Sequence, residues 1–256
     1  MSLLDGLIEV KKTKKDDDKD NVILPFWSAE EAPKFIERTD TEYASLSDPV
    51  QVLADRGIKN RLLENLLEYL PDGVIISGGF MMMVMMNEKK AKDIDLFFMN
   101  EKAFLDTMDL LKNPPKDAWS WSGYKMESQV DENDKVGISR CRFLKYTQDD
   151  RLPIQLVKLV WYEDASHVID TFDFTVTQFS VDNKKLYMNP LAIWDLSNKK
   201  LVLHRMQFAA STIRRIIKYT SKGFYACPGS LATIATAIRD SKNSVIGDEK
   251  DFVYID

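Results

Sequence analysis

Thirteen residues separate Gly79, which closes the Ser77-Gly78-Gly79 turn, from the segment Asp93-Ile94-Asp95-Leu96. This pairing constrains the fold more than any other feature of the chain. The apolar run Val74-Ile75-Ile76 ahead of the glycines predicts a buried strand ending in a tight turn, and Ile94-Asp95-Leu96-Phe97-Phe98 predicts a second strand. Alternation along a strand puts Asp93 and Asp95 on the same side. Two carboxylates there repel one another unless a cation lies between them. A glycine turn that opens a helix offers backbone N–H groups and the positive end of a dipole to a phosphate. Phosphate cradle and paired acids together suit metal-assisted phosphoryl or nucleotidyl transfer. The plain alternative is two solvated acids at a strand end.

Composition narrows the setting. The 256 residues, 45% apolar and 29% charged, suffice for one large domain or two small ones with a core. No apolar run approaches the roughly 20 residues that a membrane-spanning helix needs, and the first residues show no signal-peptide pattern. Cys141 and Cys227 are the only cysteines, which makes a disulfide framework implausible and fits a cytoplasmic, reducing setting, the host cytoplasm if the chain is viral. His167 and His204 alone supply a zinc site or a Ser-His-Asp hydrolase poorly. The net charge of −5 hides an asymmetry, because no Asp or Glu falls between Asp195 and Asp240 while eight Lys and Arg residues do. Such a basic stretch on an acidic chain suits phosphates or nucleic acid, or else a solvated face beside acidic neighbours.

Residues 9–21 are a charge block with little to bury and predict disorder unless a partner holds them. From 28 to 70 the pattern is helical, with a capping box at Ser28 and leucines 62, 63, 66, 67 and 70 at helical spacing. Phe80 to Met86 predicts a buried helix, and Asn100 predicts the cap of a helix over 101–112 that stops at Asn113-Pro114-Pro115. Strands are expected near 122–130, 136–147, 153–161 and 172–181, and helices near 190–196, 209–222 and 230–239. Strands first and helices last give an α+β fold.

At these residues the chain resembles the nucleotidyltransferase superfamily, and within it the head domain of class II tRNA CCA-adding enzymes and bacterial poly(A) polymerases. Ser77-Gly78-Gly79 and Lys92-Asp93-Ile94-Asp95-Leu96 resemble the family's glycine turn and acidic motif. Phe172-Asp173-Phe174-Thr175 resembles its Arg-Arg-Asp-Phe-Thr without the arginines. Asn189-Pro190 through Asp195-Leu196, and Arg214-Arg215-Ile216-Ile217-Lys218, follow in the family's order. The chain departs from it at Met81-Met82-Met83-Val84-Met85-Met86, where the family carries an Arg-Asp pair. Those methionines predict flexible core packing, with a methionine-lined substrate pocket as the other reading.

The resemblance implies a nucleotidyltransferase-type mixed β-sheet head flanked by helices over 28–188. A charged arm over 1–27 precedes it, and a small helical extension over 189–240 and a tail over 241–256 follow. It implies transfer of NMP from an NTP to a hydroxyl acceptor such as an RNA 3′ end, with Mg2+ or Mn2+ held by Asp93 and Asp95. Asp173 is the candidate third ligand, because Gln155, on the strand where a third acid often stands, has no charge; a structural role for Asp173 stays open. Ser77, Gly78, Gly79, Arg214, Arg215 and Lys218 are the candidate phosphate and nucleotide contacts. The basic helix at 211–222 is the candidate RNA surface, and the N-terminal arm a candidate protein-docking element. The replaced Arg-Asp pair, the absent arginines before Asp173 and Gln155 suit the rival reading of an inactive binding or assembly module. A third reading keeps the chemistry with a protein or small-molecule acceptor, and the remainder after 225 counts against full tRNA end maturation.

Overall fold

The computed structural model describes residues 41–88, 91–127, 143–206 and 209–240. The charged arm, the Ser28 capping box, the acidic turn at 131–134 and the tail from 241 lie outside the described residues. The expected strand over 136–147 is described only from residue 143.

Local chemistry accounts for the first half of the fold. Strand β2 (Val74–Ser77) is followed by α3 (Gly79–Met85) and β3 (Ile94–Phe98), so Asp93 lies one residue ahead of its strand. Before them come α1 (Pro49–Asp55) and α2 (Arg61–Glu68). Asn60 caps α2 by accepting from Leu63 N at 3.0 Å, and Leu63, Leu66 and Leu67 turn inward. Helix α4 (Glu101–Lys112) begins at Asn100, whose Oδ1 accepts from Ala103 N at 2.9 Å, as the cap pattern predicts. The methionines of α3 are core residues: Phe80 through Val84 are all buried, so Met81, Met82 and Met83 line no open pocket.

The main sheet has the strand order β1-β8-β7-β2-β3-β6-β5-β4. Besides β2 and β3 it contains β1 (Ala44–Ser47), β4 (Lys125–Met126), β5 (Phe143–Thr147), β6 (Ile154–Val157), β7 (Phe179–Val181) and β8 (Lys185–Met188). Only β3 and β6 pair in parallel; the remaining pairings in this sheet are antiparallel. The result is the mixed sheet of an α+β fold.

Register divides the sheet into rows. Ile76, Leu96, Leu156 and Leu144 are successive partners and belong to the large core that includes α2, α3 and α4. Ile75, Phe97, Val157 and Phe143 form the neighbouring row, on the other face, packed with Ala165 and Val168 of α5 (Ala165–Asp170). Two residues along from that row, and therefore on its face, come Ser77, Asp95, Gln155 and Lys145. The α5 face thus ends in a polar row, and the acid pair sits there.

Two expectations are corrected. Residues 44–47 are not helical but form an edge strand against β8; Ala-Ser-Leu-Ser has no intrinsic helical pattern to defend, and tertiary pairing decides it. The expected strand over 172–181 is a 3-10 turn at Thr175–Thr177 followed by the short β7, because the Thr175 and Thr177 hydroxyls are spent on Asp195 and the Phe174 carbonyl. The helices expected near 190–196, 209–222 and 230–239 are present, with a strand pair among them. Helices α6 (Ala192–Ser197), α7 (Ala209–Thr220) and α8 (Pro228–Asp240) enclose a parallel pair, β9 (Lys200–Leu201) and β10 (Tyr225–Ala226). Leu196, Leu201, Tyr219 and Phe224 bury into the same core as the sheet, which fixes α7 against the head. Among the described residues no helix is long and apolar enough to cross a membrane.

Candidate active site

The glycine turn and the acid pair meet. Asp95 is the register partner of Ser77, and its carboxylate lies against Gly78. A Cβ on Gly78 would stand 2.9 Å from Asp95 Oδ2. Gly78 also has φ 76° and ψ −146°, a region that only glycine occupies without strain. Both demands fall on one residue, so Gly78 is what lets the carboxylate approach the turn. Gly79 faces open space on its Cβ side.

Asp93 and Asp95 are both half-buried and share a face of the sheet. Burial first, and then the negative charge of Asp93, push the Asp95 carboxyl up to about 8, with Lys218 pulling the other way. Asp93 is also raised by burial, against the opposing charges of Lys218, Lys92, Lys145 and Lys222. Two acids that resist ionising side by side make a site in which a divalent cation would relieve the strain. Asp93, Asp95 and waters would suit Mg2+ or Mn2+, which accept one or two carboxylates and complete their shell with water and phosphate oxygens.

Asp173 has partners of its own. Its Oδ2 accepts from Thr212 Oγ1 at 2.8 Å and from Arg215 Nη1 at 2.5 Å, and the residue is 6% exposed. Its carbonyl accepts from the backbone N–H groups of His204 and Arg205. Among the described residues no three His, Cys, Asp or Glu side chains gather as a metal-binding group. Arg215 and Thr212 on Oδ2 supply the structural role left open for Asp173, and its part as third metal ligand stays an expectation. Asp95 has Gln155 beside it on β6 instead, so the row position nearest Asp95 supplies an amide.

The phosphate candidates separate in the same way. Ser77 is fully buried and its hydroxyl donates to the Phe179 carbonyl at 2.8 Å, so it secures β7 to β2 and has no donor left for a phosphate. Arg215 points to Asp173, and Arg214 is exposed. Ile217, expected on a buried face, is 64% exposed, while Thr212 and Tyr219 are buried. Helix α7 is thus rotated from the orientation that its hydrophobic pattern predicts, because the Asp173 ion pair and the Tyr219 contacts with Phe174 and Phe224 override Ile217. That rotation leaves Lys218 close enough to act on both Asp93 and Asp95.

Tyr219 was not singled out by sequence reasoning. Burial lifts its phenol well above the usual range; Arg215 opposes this, while Asp95, Asp173 and Asp93 add to it. It therefore stands between the acid pair and the Asp173 ion pair. Lys145 was also missed; the only available signal was its place two residues after Phe143, which register alone makes meaningful.

This arrangement, a mixed sheet carrying paired acids on the strand after a glycine turn, is a nucleotidyltransferase-like fold. Solved structures agree: a CCA-adding enzyme complexed with ATP matches with a TM-score of 0.53 at 16% identity, over 77% of this chain and 46% of that one. The Thermotoga maritima CCA-adding enzyme complexed with tRNA matches at 0.51 and 15%, over 77% and 46%. The chain thus spans less than half the length of the CCA-adding enzymes it resembles. A family model for the Gabija anti-defense 2 family (Gad2) matches residues 53–199, and the chain belongs to that family. A comparison with curated proteins returns no match.

Proposed function

We propose that this chain is a metal-dependent nucleotidyltransferase that moves NMP from an NTP to a hydroxyl acceptor. The observation that carries the reading is the Asp93–Asp95 pair, set against Gly78 on one side and faced by the basic end of α7 on the other. Asp93 and Asp95 would hold Mg2+ or Mn2+, which when bound would polarise the α-phosphate and lower the pKa of the attacking hydroxyl. The chain's own part is chiefly positioning and charge balance. Gly78 gives Asp95 its place, Gly79 leaves the backbone open to a phosphate, and Lys218 offsets negative charge beside the acids. Arg215 and Asp173 hold α7 in the register that presents Lys218.

An RNA 3′ end and a protein hydroxyl are both acceptors that such chemistry serves. Membership of a family named for acting against Gabija defence favours an acceptor belonging to that system, a protein or its nucleic acid, over tRNA end repair. The rival is a binding module that keeps the fold without turnover, supported by the core methionines of α3, by Gln155 beside Asp95 and by the diversion of Asp173. Incubation with Mn2+ and each α-labelled NTP, with RNA or with host protein extract, separates these readings. Label transferred by the wild type and lost in Asp93→Asn/Asp95→Asn supports the transferase. Absence of transfer to any acceptor, together with metal-independent nucleotide binding, supports the module.

A further inference from the structure

We propose that Lys145, Lys218 and Lys222 form a cradle for the β- and γ-phosphates of a nucleoside triphosphate, in place of the arginines that the sequence pattern suggests. The inference rests on the nucleotidyltransferase reading of Asp93 and Asp95 and names the group that would hold the leaving pyrophosphate.

Three observations from separate parts of the fold converge. Lys145, Gln155 and Asp95 are register partners across β5, β6 and β3, which places Lys145 two strands from Asp95 on the same face, roughly 10 Å away between Cα atoms. A lysine side chain spans most of that distance. Its present partner is Glu127, at 2.7 Å, with both side chains around half exposed, and an ion pair of that kind contributes little and exchanges readily.

The second observation is the periodicity of α7. Arg215 and Thr212 are committed to Asp173. Lys218 and Lys222 follow Arg215 by three and seven residues, on one stripe of the helix continued into the turn after it. Among the described residues neither is in ion-pair contact with a carboxylate, yet both act electrostatically on Asp93. The third is like charge gathered at one place: Lys222, exposed in the turn after α7, stands 5.8 Å from the Tyr219 ring, with Lys218 and Lys92 acting on its ammonium. Lysines from two elements thus act on one pair of acids with no direct ion pair to it among the described residues. A metal-bound polyphosphate satisfies both sets at once, with its cation on the acids and its distal oxygens on the lysines. A monophosphate would reach only one set.

The test is calorimetric titration of the full chain with inorganic tripolyphosphate and Mg2+, which requires no turnover. We expect binding by the wild type and a loss of at least about tenfold in Lys145→Gln/Lys218→Gln. Lys145→Arg/Lys218→Arg should retain most of the affinity, and Lys59→Gln, an exposed charge-matched control, should match the wild type. Thermal melts confirm that each variant is folded. Wild-type affinity in the lysine-to-glutamine variant, or no binding by the wild type, overturns the cradle even if NMP transfer is observed. Lysine-dependent binding without any NMP transfer upholds the cradle and sinks the transferase reading instead.

Discussion

Two groups of aspartates are treated in opposite ways. Asp173 is closed off by Arg215 and Thr212. Asp170, fully buried, accepts from Tyr43 Oη at 2.5 Å and from Arg205 Nη2 at 3.0 Å, with His204 Nε2 at 3.2 Å. Among the described residues Asp93 and Asp95 have no arginine ion pair; they face one another and a set of lysines at longer range. The first group is what a carboxylate looks like when the fold has satisfied it, held by arginine and hydroxyl donors. The second lacks a direct counter-charge among the described residues, an arrangement that a bound cation would complete. The same side chain therefore serves as a structural tie in one place and as a ligand-binding group in the other, and partners rather than residue type decide which.

The contrast is broken most directly by changing each group in turn. Asp93→Asn/Asp95→Asn is expected to lower NMP transfer by about a thousandfold or more, with thermal stability unchanged or slightly raised because a repulsion is removed; labelled-NTP assays and melts read both. Asp173→Ala should do the reverse. It leaves Arg215, 27% exposed, without its counter-charge, costs about 1–3 kcal/mol of stability, and lowers activity only as far as α7 loosens, as denaturant titration would show. Gly78→Ala tests the contact between the two motifs. It forces alanine into a glycine-only backbone region at a cost of about 1–3 kcal/mol and drives a methyl into Asp95 Oδ2. Metal affinity should fall more than stability does, a split that metal titration and melts would reveal.

A smaller effect concerns pH. The Asp95 carboxyl lies at about 8 in the folded chain and near 4 when unfolded, so the folded state binds its proton more tightly. The resulting stability is fully present below about pH 4 and is lost as pH rises towards 8. Metal-free protein should therefore melt at a lower temperature at pH 8 than at pH 5.5, and Mn2+ should restore more stability at pH 8, where it no longer competes with that proton. Asp95→Asn should flatten both trends. A melting temperature that rises across this range in wild type but not in Asp95→Asn would contradict the placement of the acid pair.

Much of the head was legible in the residues themselves. The Asn100 cap, the leucines of α2, the glycine turn and the acidic strand each carry a local signal, and each lies where that signal puts it. What stayed hidden depended on register and on partners distant in sequence. Ala44–Ser47 became a strand because β8 was there to pair with it. Ser77 looked like a phosphate donor until β7 claimed its hydroxyl. Arg215 looked like part of a basic stripe, but Asp173, 42 residues earlier, draws it inward. Lys145 had no motif at all and gains meaning only two strands across from Asp95.

The most direct test of the central claim is the anomalous difference density of a crystal grown with Mn2+ and a non-hydrolysable NTP. We predict a peak between the Asp93 and Asp95 carboxylates beside Gly78, with phosphate density continuing towards Lys218. A peak at Asp173, or nucleotide bound with no metal at Asp93 and Asp95, would contradict it.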